Sequence, residues 1–123
     1  MKPLKFLTLG IALITAITFN SCKKEGIGGY GEIRGYAISN GKMVKPFIFY
    51  ISYGATSSPG GDLSKYDSSS LSDDNGKFNF KGLKKGDYYI YAKGTENGSS
   101  MAGGAHIFLN QNEILAEIPI AVN

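Results

Sequence analysis

The chain has 123 residues, 42% of them hydrophobic and 19% charged, with 13 Lys and Arg against 10 Asp and Glu, which bounds it to a single domain. One Cys, one His and no Trp exclude an intrachain disulfide and leave too few ligands for a zinc or haem centre, so no metal and no other cofactor is expected. Seventeen Gly beside only 4 Pro and 12% aromatic residues point to a turn-rich all-β domain and away from a collagen repeat or a disordered chain.

In chain order, Met1 to Lys5 is basic, residues 6–19 carry no charge, and Asn20-Ser21-Cys22 follows. The apolar run is shorter than the roughly 20 residues of a membrane span and ends in a small residue, the pattern of a cleaved secretory signal over residues 1–21. Ser21-Cys22 resembles the lipobox of bacterial lipoproteins. That resemblance implies that the Cys22 thiol receives a diacylglycerol and becomes the first mature residue, held to a membrane by acyl chains, palmitate among them, without a transmembrane helix. No Asp follows Cys22, which in lipoproteins implies the outer membrane, with the periplasmic and surface faces both open. Residues 22–31 are Lys- and Gly-rich and read as a flexible tether.

The body, residues 32–123, shows period-two apolar alternation and no sustained helical period. Ile33, Gly35 and Ala37 alternate with Arg34, Tyr36 and Ile38, and Asn40-Gly41 predicts a tight left-handed turn. Phe47, Phe49, Ile51 and Tyr53 form the bulkiest inward set and predict a central strand. Residues 54–72 are polar and breaker-rich, predicting a long loop with one short edge strand near Leu63 to Tyr66. Asp73-Asp74-Asn75-Gly76 predicts a turn into Phe78 and Phe80, and Lys84 to Asp87 a turn into inward Tyr88, Ile90 and Ala92. Residues 94–104 read as a second loop, and strands over 105–109 and 114–122 close the chain. In the last, Ala116, Ile118, Ile120 and Val122 form the inward set, with Pro119 outward on an edge strand. The sum is a seven-stranded antiparallel sandwich.

Ser72-Asp73-Asp74-Asn75-Gly76-Lys77-Phe78-Asn79-Phe80, followed by Leu83-Lys84-Lys85-Gly86-Asp87-Tyr88, resembles the carboxypeptidase regulatory-like domain, a transthyretin-like (prealbumin-like), Ig-like β-sandwich. The resemblance covers residues 32–92 and implies a fold, because the motif fills turns and core rather than carrying chemistry. One departure from the family stands at Lys45-Pro46-Phe47, where a Gly-Ala pair is usual.

No catalytic constellation is legible. Asp73 to Gly76 lacks the spaced acids and distant Glu of a calcium loop, and His106 has no nucleophile elbow or second His to work with. Lys42, Lys45, Glu117 and Asn123 are the only candidates for an isopeptide bond of the kind found in related pilin sandwiches, and ordinary surface charge is the better reading. A non-enzymatic role is therefore expected. From Gly26 onward bases and acids balance at nine each, so no nucleic-acid partner is expected. The register opposite the core carries Tyr36, Ile48, Tyr50, Tyr89 and Tyr91, more aromatic surface than a solvated sheet needs. These tyrosines are a candidate surface for a protein or glycan partner, and the competing reading makes them cross-strand pairs stabilising a two-stranded ladder, or rings covered by the 54–72 loop. The expectation is a non-catalytic, lipid-anchored envelope protein with an interaction or accessory module; the alternatives are a carbohydrate-binding lipoprotein of glycan uptake and a structural subunit of an envelope assembly.

Overall fold

The computed structural model of the protein describes residues 24–45 and 47–123; the signal-peptide reading, Cys22 and Lys23 fall outside them. Eight strands follow in order: β1 (Ile27–Ser39), β2 (Lys42–Val44), β3 (Phe47–Tyr53), β4 (Ser68–Leu71), β5 (Lys77–Leu83), β6 (Gly86–Glu96), β7 (Ser99–Leu109) and β8 (Ile114–Ala121). They form two four-stranded sheets. In the first, Ile33 lies between Phe80 and Leu115 and Ala37 between Val44 and Ile120, so β5 and β2 share one edge of β1 and β8 takes the other. The second runs β4-β3-β6-β7, antiparallel throughout.

The inward alternation read from the sequence builds the core. Ile33, Ala37, Phe78, Phe80, Leu83 and Ile120 from the first sheet meet Phe49, Ile51, Tyr88, Ile90, Ala92 and Leu109 from the second, all buried. Phe49 and Phe78 touch across the layers with ring centroids 4.4 Å apart. A turn of the expected kind links Asp73 to Gly76: the Asp73 carboxylate accepts the N–H groups of Asn75 (2.8 Å) and Lys77 (2.9 Å), and Gly76 takes φ +80°. Side-chain oxygens of Asp satisfy turn amides in just this way. Tyr88 is fully buried, and its hydroxyl accepts from the Gly26 N–H (2.9 Å) and donates to the Lys84 carbonyl (2.5 Å), so it fixes a corner four residues upstream.

Several expectations are corrected. Among the described residues eight strands form rather than seven, and one pairing, β1 with β8, is parallel, because β8 returns beside the strand that opens the sandwich. Residues 27–31 of the expected tether belong to β1, where Leu83 pairs with Ile27 and Gly31, and Gly26 is held by Tyr88 and by the Lys84 N–H (2.7 Å). Residues 63–65 form a 3-10 turn instead of a strand, capped by Asp62, and the edge strand of this segment is β4. The second expected loop, 94–104, is mostly strand: β6 and β7 continue to an Asn97-Gly98 turn, both residues at positive φ.

The inward set of β8 is also shifted. Leu115, Ile118, Ile120 and Val122 face the core and Ala116 is exposed, because a bulge with Glu117 at φ +60° interrupts the pairing between Ile33 and Gly35. Gly35 makes that bulge possible, since a Cβ there would lie 2.0 Å from the Ile118 carbonyl oxygen. Pro119 is exposed on this edge strand, as its register requires.

Candidate binding face on the second sheet

The outer face of the second sheet is built by alternation. Register pairs Tyr50 with Ser69 on one side and Tyr91 on the other, and Tyr91 with Gly104. Tyr89 follows one step along β6, opposite Ser52 and His106. Residues two apart on a strand stand about 7 Å apart on the same face, so Tyr50, Tyr89 and Tyr91 form one continuous patch. Tyr36 does not join them. It lies on β1 of the other sheet, under the Lys77 ammonium at 5.7 Å, because alternation says which way a side chain points but not which sheet carries it.

A fourth ring completes the patch from the 54–67 loop. Tyr66 stacks on Tyr91 at 5.6 Å with planes 19° apart and approaches Tyr50 at 5.8 Å; Tyr50 and Tyr91 are 6.3 Å apart. The loop therefore covers part of the tyrosine face, as one of the two readings expected, and adds to it. Offset rings at these separations attract one another. All four tyrosines are half-buried.

The loop that presents Tyr66 is fixed at several points. The Asp62 carboxylate accepts from the Ser64 hydroxyl (2.7 Å) and N–H (3.1 Å), and these bonds, the hydroxyl's first, hold its carboxyl below the usual carboxylate range. The Tyr66 hydroxyl donates to the Gly60 carbonyl (2.8 Å). Asp67 ties the far end, accepting the Tyr53 N–H (2.7 Å) and donating its own N–H to the Ile51 carbonyl (2.8 Å). Burial pushes the Tyr66 phenol up. Between Tyr50 and Tyr66 lies a depression of about 170 Å³ lined also by Leu63, Asp67, Ser68 and Ser69.

Tyr89 lies flat across the neighbouring strand. A Cβ on Gly104 would stand 2.6 Å from its Cε1 and 2.7 Å from its hydroxyl, so glycine at 104 leaves the space the ring occupies. Beyond it, His106 Nε2 meets Asp87 Oδ1 at 2.8 Å. Ile48 pairs with Leu71 at the other end of the face, both exposed, above a 230 Å³ apolar groove.

Other candidates remain apart. Lys45 donates to the Asp74 carbonyl (2.6 Å), Glu117 pairs with Lys77 (2.6 Å), and Asn123 bonds through its backbone to Ala102, so the isopeptide candidates do not converge. Among the described residues, no group of three or more His, Cys, Asp and Glu comes together as a metal site, and no helix is long and apolar enough to cross a membrane. Sequence reasoning missed Tyr66; the signal for it was Asp62-x-Ser64, a side-chain-capped turn, which forbids the strand assigned there.

No family model matches the chain, and no curated protein matches it. Among solved structures, a candidate carbohydrate binding protein from Pseudomonas aeruginosa is similar, with a TM-score of 0.53 at 13% identity over 84% of this chain and 93% of that one. At that identity the likeness is one of fold.

Proposed function

We propose that the protein is a non-catalytic, lipid-anchored module of the bacterial outer membrane, with a carboxypeptidase regulatory-like sandwich that binds glycans on the Tyr50–Tyr66–Tyr89–Tyr91 face. The observation that carries this reading is the ring cluster itself: three strand tyrosines and one from a pinned loop, on one sheet face beside a small depression. A tyrosine ring offers a broad apolar face to the C–H groups of a pyranose while its hydroxyl bonds the sugar's oxygens. Because the loop is already tied down, little ordering entropy is spent on binding. The name of the Pseudomonas aeruginosa neighbour agrees in ligand class. Anchorage follows from the lipobox resemblance at Cys22.

A protein partner is the second reading, favoured by exposed Ile48 (40%) and Leu71 (68%) beside the tyrosines. A glycan panel presented to the purified protein separates the two. Saturable binding to a glycan that Tyr91→Ala weakens at least tenfold supports the first; no binding to any glycan, with Leu71→Ser abolishing crosslinks to an envelope protein, supports the second.

A further inference from the structure

The chain enters the sandwich through a cleft of about 360 Å³ lined by Lys24, Lys84 and Lys85, the Gly28-Gly29 backbone and Asn112, with no acid in its lining. Lys84 is set firmly in place: its N–H donates to the Gly26 carbonyl at 2.7 Å, its carbonyl accepts from the Tyr88 hydroxyl, and its stem lies along Gly28. Three lysines lining one concave surface, with the nearby Glu25 carboxylate turned to the Asp87 N–H (3.3 Å), favour an anion there. Tyr30, which also lines the cleft, is 84% exposed, and Ile27, at the start of β1, 65%. Lysines flanking an exposed tyrosine and aliphatic side chain are the pattern of a surface that rests at a membrane interface.

Position supports the same partner. Lys24 stands two residues from Cys22, a reach of about 7 Å at full extension. We propose that this end of the sandwich seats on the bilayer, with Lys24, Lys84 and Lys85 holding the phosphate of an anionic lipid headgroup and Ile27 and Tyr30 entering the interface. The inference rests on the anchor reading of Cys22 and adds a defined orientation to it: the domain sits against the membrane instead of swinging from it.

The test uses the lipidated protein from host membranes, reconstituted into vesicles of phosphatidylcholine alone or mixed with phosphatidylglycerol. Lysine acylation by a water-soluble reagent is followed site by site with mass spectrometry. Lys24, Lys84 and Lys85 should react about fivefold more slowly with phosphatidylglycerol present, Lys42 and Lys93 should not change, and high salt should erase the difference. The Lys84→Gln/Lys85→Gln protein should return Lys24 to its rate in phosphatidylcholine. Equal rates in both vesicles overturn the headgroup contact while leaving the anchor intact. The same slowing by millimolar inorganic phosphate in phosphatidylcholine overturns it in favour of a soluble anion. Failure to float with either vesicle removes the anchor reading and this one with it.

Discussion

Replacing Tyr88 by Phe isolates what one hydroxyl does for the fold. The ring stays fully buried and keeps its edge-on contact with Tyr53, 5.9 Å between centroids. What goes is the oxygen that accepts from the Gly26 N–H and donates to the Lys84 carbonyl. The bond to Gly26, about 0.5–1.5 kcal/mol net, is lost, and the buried Gly26 N–H, left without a partner, adds roughly 1–3 kcal/mol. Lys84 is only half-buried, so water can serve its carbonyl, and the total comes to about 2–4 kcal/mol. For a domain of this length that lowers Tm on the order of 10–20 °C. Urea and thermal unfolding followed by circular dichroism at neutral pH measure it, with an unchanged m-value as the sign that compactness is kept. Amide exchange at Gly26 and Lys84 should accelerate together. A loss below about 0.5 kcal/mol would refute the claim that this hydroxyl ties the first strand to the β5–β6 corner.

Burial raises the phenols of Tyr53, Tyr66 and Tyr88 above their ordinary value of 10.0. Folded values above the unfolded one mean that their stabilising contribution is whole below about pH 10 and is lost as pH rises through the folded values. Unfolding curves from about pH 9 to about pH 11 should show that fall, and Tyr88→Phe should show less of it. Asp73→Ala removes the carboxylate that accepts from Asn75 and Lys77 and should cost about 1–2 kcal/mol in urea unfolding, whereas Asp73→Asn keeps an acceptor and should cost less. Gly104→Ala places a methyl 2.6 Å from the Tyr89 ring and 2.8 Å from the Ile90 carbonyl; about 1–3 kcal/mol of destabilisation is expected, with a shifted Tyr89 ring signal by NMR.

The parts of the fold legible in the sequence are those set by local periodicity and local hydrogen bonding. Phe47, Phe49 and Ile51 alternate because a strand must, and the turns at Asp73–Gly76 and Lys84–Asp87 are set within a few residues of the chain, whereas the bond from Gly26 to the Tyr88 hydroxyl spans 62 positions. Long-range pairing was not legible. Nothing local says that Tyr36 belongs to the other sheet from Tyr50, or that β8 would lie parallel to β1 and bulge at Glu117, where Gly35 opens the space. The β6–β7 hairpin was hidden by composition: Gly94, Gly103 and Gly104 suggest a loop, yet two of them are small because Ala121 and Tyr89 pack where their side chains would be. In the candidate site three of the four rings were visible by alternation. The fourth, Tyr66, depends on a loop conformation that only its cap residues announce.

The central claim is that the outer face of the second sheet is the binding surface. Calorimetric titration of the best glycan from the panel into wild-type, Tyr91→Ala and Tyr36→Ala proteins tests it most directly. Tyr91→Ala should weaken binding at least tenfold, about 1.4 kcal/mol, while Tyr36→Ala, on the opposite sheet, should leave it unchanged. Affinity that survives Tyr91→Ala and falls with Tyr36→Ala would contradict the account and place the site on the other face.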